Sequence, residues 1–107
     1  MGNAFRRSKG LGLLLAGALS LAMLPGCGAT LYYVDVIAAG SIVNEAEQAG
    51  APEHAAYDYW LAREYLEKAH EEAAEASYED AIRFAQQARH HAEQARDRTR
   101  ERRSSPE

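Results

Sequence analysis

Apolar residues recur along this chain in three periodic runs separated by turn signals. The first run reads Tyr32, Val36, Ala39, Val43, Ala46, a four-three alternation that places these residues on one face of a helix predicted over 31–49. Ile37 and Ile42 broaden that face, and Gly50 followed by Pro52 supplies the stop. The second run, Ala55, Tyr59, Ala62, Leu66, Ala69, Ala73, Ala76, predicts a helix over 52–76 that opens on Pro52, with Glu53 at the positive end of its dipole. Ser77 then interrupts the run, and Asp80 three residues on resembles the second half of a capping box. The third run, Tyr78, Ala81, Ala85, Ala88, Ala92, Ala95, predicts a helix over 78–102. A turn this short between the second and third helices makes them antiparallel neighbours.

These elements define an all-α fold: a short first helix plus a long antiparallel α-hairpin with an alanine-rich seam, in a small three-helix arrangement spanning 31–103. Alanine on facing rows lets helix axes approach closely, but each buried alanine contributes less than the ~1.5–3 kcal/mol of a buried Leu or Phe. The larger groups cluster at Tyr59, Trp60, Leu61, Tyr65, Leu66, Tyr78, Ile82 and Phe84. The hairpin is therefore expected to be firmest there and to fray beyond Ala95, with 104–107 a disordered tail.

A different pattern precedes these runs. Residues 1–10 carry Arg6, Arg7 and Lys9 with no acid, and Leu11 to Leu24 is almost wholly apolar. This apolar stretch suits the hydrophobic region of a signal peptide and falls short of the roughly 20 residues that span a bilayer as a helix. It closes on Leu24-Pro25-Gly26-Cys27, which resembles a bacterial lipobox. The reading is a signal peptide over 1–26, removed so that Cys27 becomes the first residue and carries diacylglycerol and fatty acyl chains, with 27–30 as a lipidated linker. Pro25 stands where small or β-branched residues are usual. An uncleaved membrane anchor is the alternative. Gly28, rather than aspartate, follows the cysteine and points to the outer membrane facing the periplasm. The inner membrane is the alternative.

Charge narrows the function further. The chain has 12 basic and 16 acidic residues, and the three cations of the leader leave nine basic residues beyond it. Between Asp35 and Asp80, Arg63 and Lys68 are the only cations; from Arg83 to Arg103 the balance reverses. An acidic body argues against nucleic-acid binding, which needs a dominant basic face. Arg96, Arg98, Arg100, Arg102 and Arg103 are candidates for contact with an anionic surface. The alternative is a solvated helix end with local pairs such as Arg98–Glu101. Cys27 is the only cysteine, so no disulfide forms within the chain.

Catalytic chemistry finds little to use. His70 is predicted far along the hairpin from His90 and His91, and no spaced histidine pair or supporting cysteine suggests a metal. Glu67, Glu71, Glu72 and Glu75 read as a solvated acidic face rather than an acid–base pair. Ser77 is spent on a cap, and no phosphate-cradling glycine loop is present. The chain is expected not to be an enzyme, to bind no cofactor beyond the lipid on Cys27, and to act on no small-molecule substrate. Tyr57, Tyr59, Trp60 and Tyr65 spread over more than one helix face. Either the first helix covers them, or they form a partner surface for another helix or peptide.

Two resemblances follow from these residues. Ala76-Ser-Tyr-Glu-Asp-Ala-Ile-Arg-Phe-Ala-Gln-Gln-Ala88 is similar to the second helix of a tetratricopeptide repeat. More of the chain resembles an envelope lipoprotein family known as domain of unknown function 4398. The likeness rests on Ala49-Gly50-Ala51-Pro52, on Tyr65-Leu66-Glu67-Lys68-Ala69-His70-Glu71-Glu72-Ala73, and on Tyr78, Ala81, Ala85 and Ala88. It implies a lipid-anchored helical module of the Gram-negative envelope, and the family has no established activity to carry over. The expected function is a non-enzymatic lipoprotein presenting its hairpin as a structural or protein-interaction module. A tetratricopeptide-like adaptor or chaperone-like module for envelope assembly is the alternative. The partners implied are the membrane, an envelope protein or a second copy of the chain.

Overall fold

The computed structural model describes residues 27–105; the leader, with Leu24, Pro25 and Gly26, and the last two residues lie outside them. Among the described residues four helices follow in order: α1 (Cys27–Ala49), α2 (Ala51–His54), α3 (Ala56–Ala74) and α4 (Tyr78–Ser104). The fold is all-α, as the periodicity predicts. The long helix α4 is the common partner: α1 and α3 both pack along it, and they meet each other far less. Gly28 sits against Tyr78 and Arg96 reaches Glu45, so α1 runs parallel to α4 while α3 runs antiparallel.

The seam is made of alanine. Among the described residues, eleven of the fourteen buried hydrophobic ones are alanines; Tyr32, Val43 and Tyr59 are the exceptions. The core forms two clusters along α4. One gathers Val43, Ala46, Ala51, Ala55, Tyr59, Ala62, Ala92 and Ala95, and the other Tyr32, Ala69, Ala81 and Ala85. The four-three row on α4 leaves a narrow groove of methyl groups, and two helices can lie against it at once.

Four local features differ from the sequence expectation, each for a visible reason. The linker expected over 27–30 is helical, because α1 begins at Cys27. Gly28 lets α1 approach α4 closely there: a Cβ on it would lie 3.3 Å from the Tyr78 Cβ. Tyr32 also packs on Tyr78, with ring centroids 6.1 Å apart.

The helix expected over 52–76 is divided at Ala55, whose φ of −143° and ψ of 51° break the single turn of α2 from α3. The chain must reverse between α1 and α3, and this one-turn bridge buries Ala51 and Ala55 where it crosses. Gly50 starts it at φ +100°, a conformation that disfavours any side chain.

Helix α3 ends at Ala74 rather than Ala76. The Ala76 N–H donates to the Ala73 carbonyl at 3.0 Å and the Ser77 N–H to the Glu72 carbonyl at 2.9 Å, a Schellman ending with Ala76 at φ 59°. Ser77 makes no side-chain cap, so the capping box is not formed; the Asp80 carboxylate instead accepts from Arg83 at 2.5 Å.

Finally, α4 continues beyond Ala95 as helix to Ser104, the first residue of the expected tail. The inward row gains one more member in Thr99, wholly buried, whose hydroxyl donates to the Ala95 carbonyl at 2.7 Å.

Candidate functional site

Two places concentrate the side chains of interest: the far end of α4 and the furrow between α1 and α3. At the first, four of the five C-terminal arginines are engaged within the chain. The Arg98 guanidinium donates to the Asp58 carboxylate at 2.5 Å, and His91 Nδ1 lies 3.4 Å from the other oxygen of the same group. Asp58 is 3% exposed, so this carboxylate is desolvated and held by two partners from α4. Arg96 reaches Glu45 at 3.2 Å. Arg102 donates to the His54 carbonyl at 2.6 Å and Arg103 to the Ala49 carbonyl at 2.8 Å. The last two bonds satisfy carbonyls at the ends of α2 and α1 that have no partner within their own helices. Arg100 is exposed. Four of the five arginines named as candidates for contact with an anionic surface thus also tie α4 to α1, α2 and α3. Arg98 pairs with Asp58 rather than with Glu101 because Asp58 lies inward on α3.

Asp58 and Thr99 are the interior polar residues that sequence reasoning passed over. Both carried a signal. Asp58 sits beside the inward position of Tyr59, and Thr99 falls four residues after Ala95 in the α4 row. No buried side-chain polar atom among the described residues lacks a partner, so both are satisfied parts of the core.

The four aromatics do not form one surface. Tyr59 is 1% exposed and belongs to the core. Tyr65 is half-buried on the other side of α3, stacked on Phe84 and His91 with centroids 6.1 and 5.6 Å away. Tyr57 and Trp60 remain exposed, at 76% and 52%. Trp60 packs edge-on against Tyr59 at 5.0 Å, and the Arg63 guanidinium lies 5.5 Å from its ring. Arg63 also donates to Tyr59 Oη at 3.4 Å, a bond that raises its pKa.

Trp60 forms one wall of an open groove of about 600 Å³ between α1 and α3. Val43 and Leu66 supply apolar lining, and Glu47, Glu64 and Glu67 outnumber Arg63 among its charges. Gly40 contributes bare backbone on the α1 side, where an added Cβ would meet nothing within 4 Å. The groove exists because α1 and α3 both rest on α4 instead of on each other. Its chemistry suits the docking of an extended or helical segment: an aromatic wall, an apolar floor and an acidic rim.

Cys27 is exposed with a free thiol at the first residue of α1. Among the described residues, no helix is long and apolar enough to cross a membrane, and no three His, Cys, Asp or Glu side chains are grouped to hold a metal ion.

A family described as a domain of unknown function, DUF4398, matches residues 35–107. No curated protein and no solved structure matches the chain.

Proposed function

This chain belongs to the DUF4398 family of domains of unknown function, and on that premise we propose that it is a lipid-anchored, non-enzymatic interaction module of the bacterial cell envelope. The carrying observation is the position of Cys27. It directly follows Leu24-Pro25-Gly26 and lies exposed at the start of a helix packed into the bundle. A modified Cys27 would join its lipid to the folded body with no slack between them. One acyl chain binds a bilayer only marginally, so the two or three chains of a bacterial lipoprotein are what a stable tether requires. The membrane to which it is tethered is the outer one, facing the periplasm, in the reading from Gly28; retention at the inner membrane is the alternative.

The groove beside Trp60 is the surface offered to a partner, and it also favours a second reading, an adaptor that holds a segment of another envelope protein. In cells fed radioactive palmitate, the wild-type chain is expected to take up label and Cys27→Ala to lose it. An unlabelled wild type removes the anchor from this reading. Photocrosslinking from position 60 in intact cells separates the two roles. One dominant protein adduct identifies an adaptor, and self-adducts identify a structural module.

A further inference from the structure

Helix α1 has a second apolar face that the bundle does not use. Its inward side gives Tyr32, Ala39, Val43 and Ala46 to the core. On the outward side Leu31, Tyr33, Val34 and Ile37, the last expected on the inward face, are 57%, 61%, 62% and 69% exposed. These are four of the six exposed large hydrophobic residues among those described, and they fall within seven consecutive positions. At 3.6 residues per turn they cover nearly half of the helix circumference. Past Ile37 the outward face changes character, with Ser41, Asn44, Glu45 and Gln48 all exposed. The apolar face is thus confined to the first three turns, roughly 15 Å of helix nearest Cys27.

What covers it is indicated by continuity. Upstream, the sequence from Leu11 to Leu24 is apolar, so apolar character runs up to Cys27 and on along one side of α1. Both fates of the leader put residue 27 at a bilayer: lipidated after cleavage, or joined to an uncleaved anchor. A second copy of the chain is a poorer occupant. Four side chains on a convex ridge fall well short of the ~20–30 residues per side that a stable interface uses. Charge attraction is not the driving force either, because no Lys or Arg occurs between Cys27 and Trp60.

We propose that Leu31, Tyr33, Val34 and Ile37 are embedded in the interfacial layer of the bilayer to which Cys27 is tethered, so that α1 is both a wall of the bundle and a membrane-surface helix. This deepens the reading of the chain as membrane-anchored and rests on a tether at or just before Cys27. Amphipathic helices in that layer bury their apolar face between headgroups and acyl chains, and Tyr33 suits the boundary where aromatic rings concentrate. Because Gly28 lies against Tyr78, the α3–α4 turn lies beside the embedded stretch of α1, and Arg98 is roughly 30 Å further along α4 at 1.5 Å per residue. The exposed Glu75 and Glu79 near that turn leave apolar insertion, rather than charge, to make the contact.

The test uses the full chain purified from membranes, with photoreactive benzoylphenylalanine at Val34, Ile37 or Gln48, reconstituted in phosphatidylethanolamine–phosphatidylglycerol vesicles. Gln48 is an exposed site on the outward side roughly 21 Å beyond Val34. Irradiation is expected to give phospholipid adducts at Val34 and Ile37 about tenfold more often than at Gln48, with no loss at high salt, as insertion of an apolar face requires. Equal yields at the three sites overturn the proposal, as do chain–chain dimers at Val34 and Ile37. Mass analysis of the Cys27 peptide from the same samples reports the anchor separately. Acylated Cys27 without lipid adducts at Val34 overturns the embedded face alone, and adducts beside an unmodified Cys27 overturn the lipoprotein reading alone.

Discussion

Asp58 is the residue whose setting most exceeds its sequence context. Its carboxylate is buried, whereas its partner Arg98 keeps 58% of its side chain in water. The two truncations are therefore unequal. Asp58→Asn leaves an amide that still accepts a hydrogen bond and frees a guanidinium already mostly hydrated, a loss of about 1 kcal/mol. Arg98→Ala leaves a buried carboxylate with His91 alone, about 2–3 kcal/mol, near the lower end for breaking a desolvated pair because Arg98 is itself exposed. Urea denaturation of both variants checks the order, and equal losses would mean that the carboxylate is better hydrated than its burial indicates. Tyr32 offers a pH test. Burial, then the neighbouring Tyr33 and Tyr78, raises its pKa above 10.0. The unfolded chain therefore gives up this proton at lower pH than the folded one, and Tyr32 contributes stability below pH 10 that is lost as pH rises through the folded value. Denaturation midpoints measured on both sides of pH 10 should fall less steeply for Tyr32→Phe than for the wild type.

At the scale of elements, the helices were legible because four-three spacing survives even when most of the spaced residues are alanine. Gly50 was legible as a stop for the same reason that it adopts φ +100°, a region open to glycine. The ends of the other helices were not. Ser77 has the composition of a cap, but its N–H closes the preceding helix and its side chain makes no cap bond. That choice places Ala76 in the left-handed region, where an L-residue other than glycine is strained. Ala76→Gly is expected to stabilise the protein by about 0.5–1 kcal/mol, readable as a higher midpoint in thermal denaturation with the far-ultraviolet spectrum unchanged. A lower midpoint would show that Ala76 contributes contacts outweighing its strain.

Over the whole molecule, stability depends on how closely α1 and α3 approach α4. Ala88 lies wholly buried in the row between the two core clusters. Ala88→Leu adds three carbons where no space exists and should cost about 1–3 kcal/mol or more, unlike the same change at the exposed Ala74. Comparable midpoints for the two variants would mean that the seam is loosely packed. The sequence by itself determined the all-α class, the number of long helices, the alanine seam and the peculiarity of Cys27, because each is written in local spacing or in a short contiguous motif. The tertiary structure alone decided three further things. It made α4 the shared partner, leaving a groove between α1 and α3. It left Trp60 and Tyr57 in solvent, because α1 rests on α4 and does not cover that side of α3. It set four of the five C-terminal arginines against partners on α1, α2 and α3. Their partners Glu45, Ala49, His54 and Asp58 lie some 40 to 54 positions away. Local periodicity says which face of a helix is apolar, but it carries no information about which distant carboxylate or carbonyl will stand opposite once the helices pack.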